Sequence, residues 1–191
     1  MIPSLPRSVA PLLLLALALT PDLDAQAAGG AHIVDDSEVE TPGTCHLETW
    51  VTRFVPGDGY INFGPACTSE LMPRIQIGAT YQHYWDVVID APLVGPTFKF
   101  NFFPEANGVG VGLGLGLNAG MNLKTGTVGI ASLIALVSVP LDDRMKINLN
   151  GGWNYLANAD NQNAAFYGIQ VEAKVAWDVS LMLEVFGREP G

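Results

Sequence analysis

Alternation of apolar and polar residues is the feature that most restricts the fold of this chain. From Arg144 to Asn150, apolar side chains occupy the odd positions and polar side chains occupy the even ones. From Ile169 to Trp177, apolar residues alternate in the same way with Gln170, Glu172 and Lys174. An α-helix presents its apolar face every three to four residues and does not keep such an alternation. The pattern therefore predicts β-strands whose two faces lie in different surroundings.

Nine strand-like segments follow one another after residue 44, separated by turn signals. Their predicted ranges are 45–55, 60–68, 73–85, 94–103, 109–122, 127–140, 144–157, 164–177 and 179–187. The final residues, Gly187 to Gly191, have the composition of a turn. We predict an all-β chain that forms an antiparallel up-and-down β-barrel of about 8–10 strands, of the outer-membrane type, with the barrel domain at 45–191.

Four successive glycines lie on one face of the fifth predicted strand. Gly110, Gly112, Gly114 and Gly116 alternate there with valine and leucine. Glycine weakens a strand and offers no side chain for packing, so a soluble sandwich has little use for such a face. The inner face of a narrow barrel explains it, since glycines leave room for long side chains from the opposite wall.

The N-terminus has the organisation of a secretory signal peptide at residues 1–27. An apolar run from Leu12 to Leu19 is followed by the small-residue cleavage site Ala25-Gln26-Ala27. Pro11 and Pro21 bracket the apolar run and disfavour a buried helix there. Residues 28–44 are acidic and rich in turn formers, and we predict an irregular lead-in to the first strand. The mature chain is therefore expected outside the cytoplasm.

Two cysteines remain in that exported part. Cys45 and Cys67 lie at similar distances from a turn at 56–59, so a hairpin would place them near each other. An even number of cysteines in an exported chain predicts a disulfide between them. Two separate thiols are the alternative.

The alternation does not by itself say which face of the barrel is inside. The secretory signal, a mean hydropathy of +0.27 and a charged fraction of 15% favour apolar residues outside, against lipid. Seven charged residues are then predicted to face the lumen: Glu48, Arg74, Lys99, Lys146, Glu172, Lys174 and Glu184. The expected location is the outer membrane, with its lipid and the barrel-assembly machinery as partners. The alternative is a soluble periplasmic β-domain with the faces reversed.

Other classes of function find little support. A net charge of −10 argues against nucleic-acid binding, which needs a basic face. No phosphate loop, dinucleotide fingerprint or zinc motif occurs in the sequence, and we predict no cofactor, no metal and no catalytic residues. Some outer-membrane barrels modify lipids with a histidine, a serine and a carboxylate, and His46 with Glu48, or His83, could be considered for that role. Two residues on one strand face are neighbours by geometry alone, so we expect a chain that is not an enzyme.

The stretch DDSEVETPGTCHLETWV at 35–51 resembles the mature N-terminus of a group of uncharacterised proteobacterial outer-membrane barrel proteins. The shared features are Gly43, Cys45, Glu48 and Trp50, followed by a second cysteine in Pro65-Ala66-Cys67. The group is distantly similar to the outer-membrane transporter-like family associated with phenol-degradation operons. The resemblance implies an outer-membrane location, a role in passing small molecules, and a chain that is truncated at its C-terminus. An odd count of nine strands agrees with truncation, because bacterial single-chain barrels have an even number.

Taken together, these features predict a small outer-membrane barrel with a structural or narrow transport role. Its small-molecule ligand is unknown. A soluble periplasmic binding or structural domain is the second reading of the same residues, and a lipid-modifying barrel enzyme is the third.

Overall fold

The computed structural model describes residues 33–53, 59–85, 92–105, 110–176 and 179–190. The predicted signal peptide and the start of the predicted lead-in lie outside these residues, as do Trp177 and most of the turn at 56–59. Within them, no helix combines the length and the hydropathy needed to cross a membrane.

The described chain forms one antiparallel sheet in which each strand pairs with the next along the sequence. The strands are β1 (Cys45–Arg53), β2 (Gly59–Thr68), β3 (Ile75–Trp85), β4 (Leu93–Phe103), β5 (Gly112–Asn122), β6 (Val128–Pro140), β7 (Met145–Leu156), β8 (Asn163–Ala176) and β9 (Val179–Pro190). The sheet curls into a half-barrel, which confirms the predicted all-β, up-and-down architecture. In the part of the chain described, the sheet ends at β1 on one side and at β9 on the other.

The last strand is longer than the sequence predicted. Gly187 pairs with Tyr167, and Pro190 pairs with Ala164, so the predicted turn after 187 was wrong up to residue 190. The ring of Tyr167 occupies the place where a side chain at 187 would begin, at 2.5 Å from an ideal Cβ. Glycine at 187 is therefore a packing requirement within the strand and not a sign of a turn.

The two faces of the sheet differ in polarity, and the polar face is the inner, concave one. On β7, Asn148 is 1% exposed while its neighbour Leu149 is 39% exposed. On β8, Gln170 is 1% exposed while Ile169 is 43% exposed. A water-soluble sheet buries its apolar face, so this distribution is the reverse of the one that water favours.

The inner-face glycines of β5 do make room, but not for the occupant predicted. The backbone of Ser37, which belongs to the N-terminal lead-in, lies over them. A Cβ on Gly114 would lie 3.0 Å from the carbonyl oxygen of Ser37, and one on Gly112 would collide with its hydroxyl. The expected side chains from the opposite wall are thus replaced by main chain, which approaches closely only where there is no Cβ.

Candidate functional site

Residues 33–44, here called the N-terminal segment, cross the concave face of the sheet. At one end the main-chain N–H groups of Ile33 and Val34 donate to the carboxylate of Glu184 on β9, at 3.1 and 3.0 Å. Asp35 and Asn150 of β7 are joined twice: the Asp35 N–H donates to Asn150 Oδ1 at 2.8 Å, and Asn150 Nδ2 donates to the Asp35 carbonyl at 2.7 Å. Strand-borne side chains thus replace the β-pairing that an extended segment would otherwise need.

The segment continues across the remaining strands toward β1. The Ser37 N–H donates to Ser138 Oγ on β6 at 2.8 Å, and the Glu40 N–H donates to Gln76 Oε1 on β3 at 2.9 Å. The Gly43 N–H then donates to the carbonyl of Thr68 at the end of β2, at 2.7 Å. The N-terminal segment therefore crosses the concave face from β9 to β2, near the end of the sheet at which β1 begins.

A cluster of buried charges holds the centre of the segment. Lys99 Nζ of β4 lies 2.9 Å from Asp36 Oδ1 and 3.1 Å from Asp35 Oδ1. Lys146 Nζ of β7 lies 3.0 Å from Asp36 Oδ2 and 3.3 Å from Glu172 Oε2. Each Asp36 oxygen therefore faces its own ammonium group, a geometry in which mutual attraction offsets the cost of burying charge.

The acid–base behaviour of Asp36 follows from this geometry. Burial alone raises the pKa of a carboxyl group, because it penalises the charged form. The charges of Lys99 and Lys146, and the hydrogen bonds that both donate, outweigh burial and lower the pKa of Asp36 to about 2. Asp36 is therefore ionised at every pH at which the protein would ordinarily be handled.

Five of the seven charges predicted to face the lumen lie on the concave face: Glu48, Lys99, Lys146, Glu172 and Glu184. Lys99 and Lys146 pair with the N-terminal segment, a partner that the sequence did not suggest. Arg74 and Lys174 are exposed at the end of the sheet at which β1 begins, and for these two the lumen-facing orientation stays a prediction. Arg74 precedes β3 and donates to the Phe102 carbonyl at 3.1 Å, where water still reaches it.

The predicted disulfide between Cys45 and Cys67 is present, with a sulfur–sulfur distance of 2.05 Å. The two residues are direct partners in the β1–β2 register. One residue further along, the Thr68 N–H donates to the Thr44 carbonyl at 3.0 Å. The disulfide therefore lies where the N-terminal segment turns into β1, and it ties that point to β2.

The two histidines considered for catalysis do not converge. His46 is on the concave side, with Nδ1 2.9 Å from Glu40 Oε1 and Nε2 3.8 Å from Glu48 Oε1. His83 is exposed on β3, where it pairs with Ile61. Across the described ranges, no group of three or more His, Cys, Asp or Glu side chains is arranged to hold a metal ion.

Beside the N-terminal segment, the concave face leaves a cavity of about 290 Å³. Its walls, contributed by β1 to β7, combine amides, hydroxyls, a few charged groups and the indole of Trp50 with apolar side chains such as Ile134 and Leu136. Leu93 and Ile130, both buried against Gly120, lie toward the other end of the sheet. This cavity could not be predicted from local sequence, because its lining comes from seven strands.

Residues of the N-terminal segment were also missed as site residues, although one signal was available. Its acidic positions Asp35, Asp36, Glu38 and Glu40 stand just before a barrel with lysines on its predicted inner face. Buried charges need partners of opposite sign, so lysines in the lumen are expected to form ion pairs with an acidic leader.

A comparison with protein-family models matches residues 15–191 to the family described as "Uncharacterised conserved protein UCP029691". The chain belongs to this family. Comparisons with curated proteins and with solved structures give no match.

Proposed function

We propose that this chain is an outer-membrane β-barrel protein whose lumen is closed by its own N-terminal segment, with a structural or narrow transport role. The observation that carries the proposal is the reversed polarity of the sheet. Polar side chains such as Asn62, Asn148 and Gln170 are about 1% exposed. Large apolar side chains on the outer face are open to the surroundings, with Leu183 at 73% and Val185 at 68%.

An apolar outer face of this extent is costly in water and favourable in lipid. Soluble proteins rarely expose contiguous apolar patches larger than a few hundred Å². Transmembrane barrels need such a band, together with a polar interior and strands of about nine to eleven residues tilted across the bilayer. The strands here have 9 to 14 residues. The secretory signal predicted at 1–27 and the resemblance noted above support the same location.

In the described residues, β1 and β9 are edge strands, and each has one side without a strand partner. Unpaired main-chain N–H and C=O groups cost several kcal/mol each in a bilayer, so spanning sheets are closed. In the membrane both edges must therefore be paired, either with each other or with further strands. The mass of the detergent-extracted protein measures whether a second copy of the chain supplies them.

The position of the N-terminal segment supports only a narrow passage through the lumen. It crosses the lumen with main chain and with ion pairs to β4 and β7, which leaves little room for a large solute. A water-filled pore of porin width would need the segment to leave the concave face.

Membrane fractionation tests the proposal directly. The full chain is expressed in a Gram-negative host, and the outer-membrane fraction is run on a gel with and without boiling. We expect recovery in the outer membrane and a mobility shift on boiling, because a closed barrel resists detergent until heated. Recovery in the soluble periplasm would overturn the proposal and favour the periplasmic β-domain.

A further inference from the structure

We infer that the cavity beside the N-terminal segment is a binding site for a small, neutral, polyhydroxylated solute of about the size of one sugar ring. The inference deepens the proposed function, on which it rests for the route by which a solute reaches the lumen. It is carried by the chemistry of the cavity wall and by polar atoms there that lack partners.

Apart from His46 Nδ1, which lies 2.9 Å from Glu40 Oε1, three buried polar atoms around the cavity have no hydrogen-bond partner among the residues that the structure describes. They are Glu48 Oε1 and Trp50 Nε1 on β1 and Asn118 Oδ1 on β5. The imidazole Nε2 of His46 lies 3.8 Å from Glu48 Oε1, which is too long for a hydrogen bond. A buried polar group without a hydrogen bond costs free energy, so each of these atoms indicates a hydrogen-bond partner from a bound molecule.

The kinds of atom define the ligand chemistry. A carboxylate oxygen and an amide oxygen accept hydrogen bonds, whereas an indole N–H can only donate one. A hydroxyl group both donates and accepts, so the hydroxyls of one solute can serve the acceptors and the donor of this wall alike. An ammonium group would serve the two oxygens but would leave Trp50 Nε1 without an acceptor.

The rest of the wall agrees with a neutral ligand. The Lys99 ammonium group is already held by Asp35 and Asp36, so it is not free to bind an anionic ligand. Thr80 donates to Asn62 at 2.9 Å, which fixes two further polar side chains of the wall. Gln82 and Ser132 add amide and hydroxyl groups to the lining.

Size limits the solute as well. The cavity of about 290 Å³ lies at the small end of the range of about 300–1,000 Å³ that ligand pockets occupy. A single ring with its hydroxyls fits such a space, and the indole of Trp50 offers an apolar face beside polar groups, as ligand sites usually do.

The test is calorimetric titration of the purified full chain in a sugar-free detergent, with D-glucose as the probe. We expect saturable binding of glucose and at least tenfold weaker binding of cyclohexanol, which has a similar ring but one hydroxyl. Cyclohexylammonium is the third probe. Tighter binding of this cation than of glucose would assign the cavity to Glu48 as a cation site and overturn the inference.

Two variants locate the site. Trp50→Phe keeps an aromatic ring and removes the donor, and Asn118→Leu keeps the size and removes the acceptor. Each is expected to weaken glucose binding about three- to tenfold, the effect of one lost hydrogen bond. Asn158→Leu, in the exposed loop after β7, is the matched control and should bind as the parent does.

The outcomes for binding and for location are separable. No saturable heat with glucose, from a chain whose β-structure and disulfide are intact, would overturn the inference whatever the fractionation shows. Unchanged binding in both cavity variants would do the same. A periplasmic chain that still binds glucose at this cavity would overturn the proposed function alone.

Discussion

Lys99 of strand β4 and Asp36 of the N-terminal segment form a buried ion pair, with Nζ and Oδ1 2.9 Å apart across 63 positions of the chain. The pair joins the barrel wall to the segment that fills its interior. Lys146 contacts the other oxygen of Asp36, so a single carboxylate ties β4 to β7 through the lumen. The stability of the segment and the width of the lumen should both depend on this contact.

Replacing Lys99 by methionine removes the charge and keeps most of the side-chain volume. Asp36 would keep Lys146, but Asp36 Oδ1 and Asp35 Oδ1 would lose their ammonium partner, so we expect the free energy of unfolding to fall by about 3 kcal/mol. Urea denaturation of the protein in detergent measures this. Lys174→Met, at an exposed position, should change stability by less than about 0.5 kcal/mol. Equal stability of the two variants would contradict the role assigned to Lys99.

The same substitution should loosen the N-terminal segment itself. Glu38 and Glu40 lie within it, and Glu40 is buried at 6% exposure, which protects its peptide bond. A glutamate-specific protease should therefore cut the segment of Lys99→Met faster than that of the parent. Mass spectrometry of the products identifies the cleavage point. Unchanged cleavage after Glu40 would show that the other hydrogen bonds hold the segment alone.

Acid should release the segment only at very low pH. The folded-state pKa of Asp36 is depressed to about 2 from an ordinary value of 3.8, so its stabilising contribution is complete above pH 4. That contribution, about 2 kcal/mol by proton linkage, is lost as the pH falls from about 4 to 2. The difference in unfolding free energy between the parent and Asp36→Asn should therefore be constant above pH 4 and shrink below it. A difference that already shrinks between pH 7 and 5 would be inconsistent with the depressed pKa.

Gly114 should be intolerant of a side chain although it lies in a β-strand. Its missing Cβ would stand 3.0 Å from the Ser37 carbonyl oxygen and 3.1 Å from that of Phe100, both main-chain atoms that move little. We expect Gly114→Ala to destabilise the protein by about 1–3 kcal/mol, as overpacking does. Gly151→Ala is the control, because no atom lies within 4 Å of the Cβ it would add. That control should be neutral or slightly stabilising, since alanine restricts the unfolded chain more than glycine does.

Removing the disulfide should destabilise the start of the sheet. The double variant Cys45→Ser, Cys67→Ser opens a loop with a sequence separation of 22, for which the expected loss is about 2–4 kcal/mol. Thermal unfolding with and without reductant measures the loss, and only the parent should respond to the reductant. A reductant-sensitive double variant would mean that the effect does not come from this bond.

Single-channel recording of the protein inserted in a bilayer tests whether the lumen is closed. The parent should show small or no single-channel currents, because the N-terminal segment crosses the lumen. Asp36→Asn combined with Lys99→Met should raise the conductance severalfold by releasing the segment, while Lys174→Met should not. Large currents from the parent would contradict the closed lumen.

The strands themselves were largely predictable from local sequence. A period of two residues, as in Ile147, Asn148 and Leu149, assigns alternate side chains to opposite faces whatever the rest of the chain does. The pairing of Cys45 with Cys67 followed from their similar distances to one turn, and the structure confirms it. The prediction for the C-terminal residues was wrong because Gly187 and Pro190 signal a turn locally, whereas pairing with β8 holds them in a strand.

The sequence by itself determined the fold class, the number of strands, the composition of each face and the disulfide, because all of these depend on contacts between chain neighbours or on adjacent strands. The tertiary structure decided which face is enclosed, that residues 33–44 occupy the concave face, and that a cavity with unsatisfied polar atoms remains beside them. These features depend on curvature and on contacts such as Asp36 with Lys146, separated by 110 positions. No local pattern encodes them, because residues so far apart in sequence come into contact only when the strands have assembled into the curved sheet.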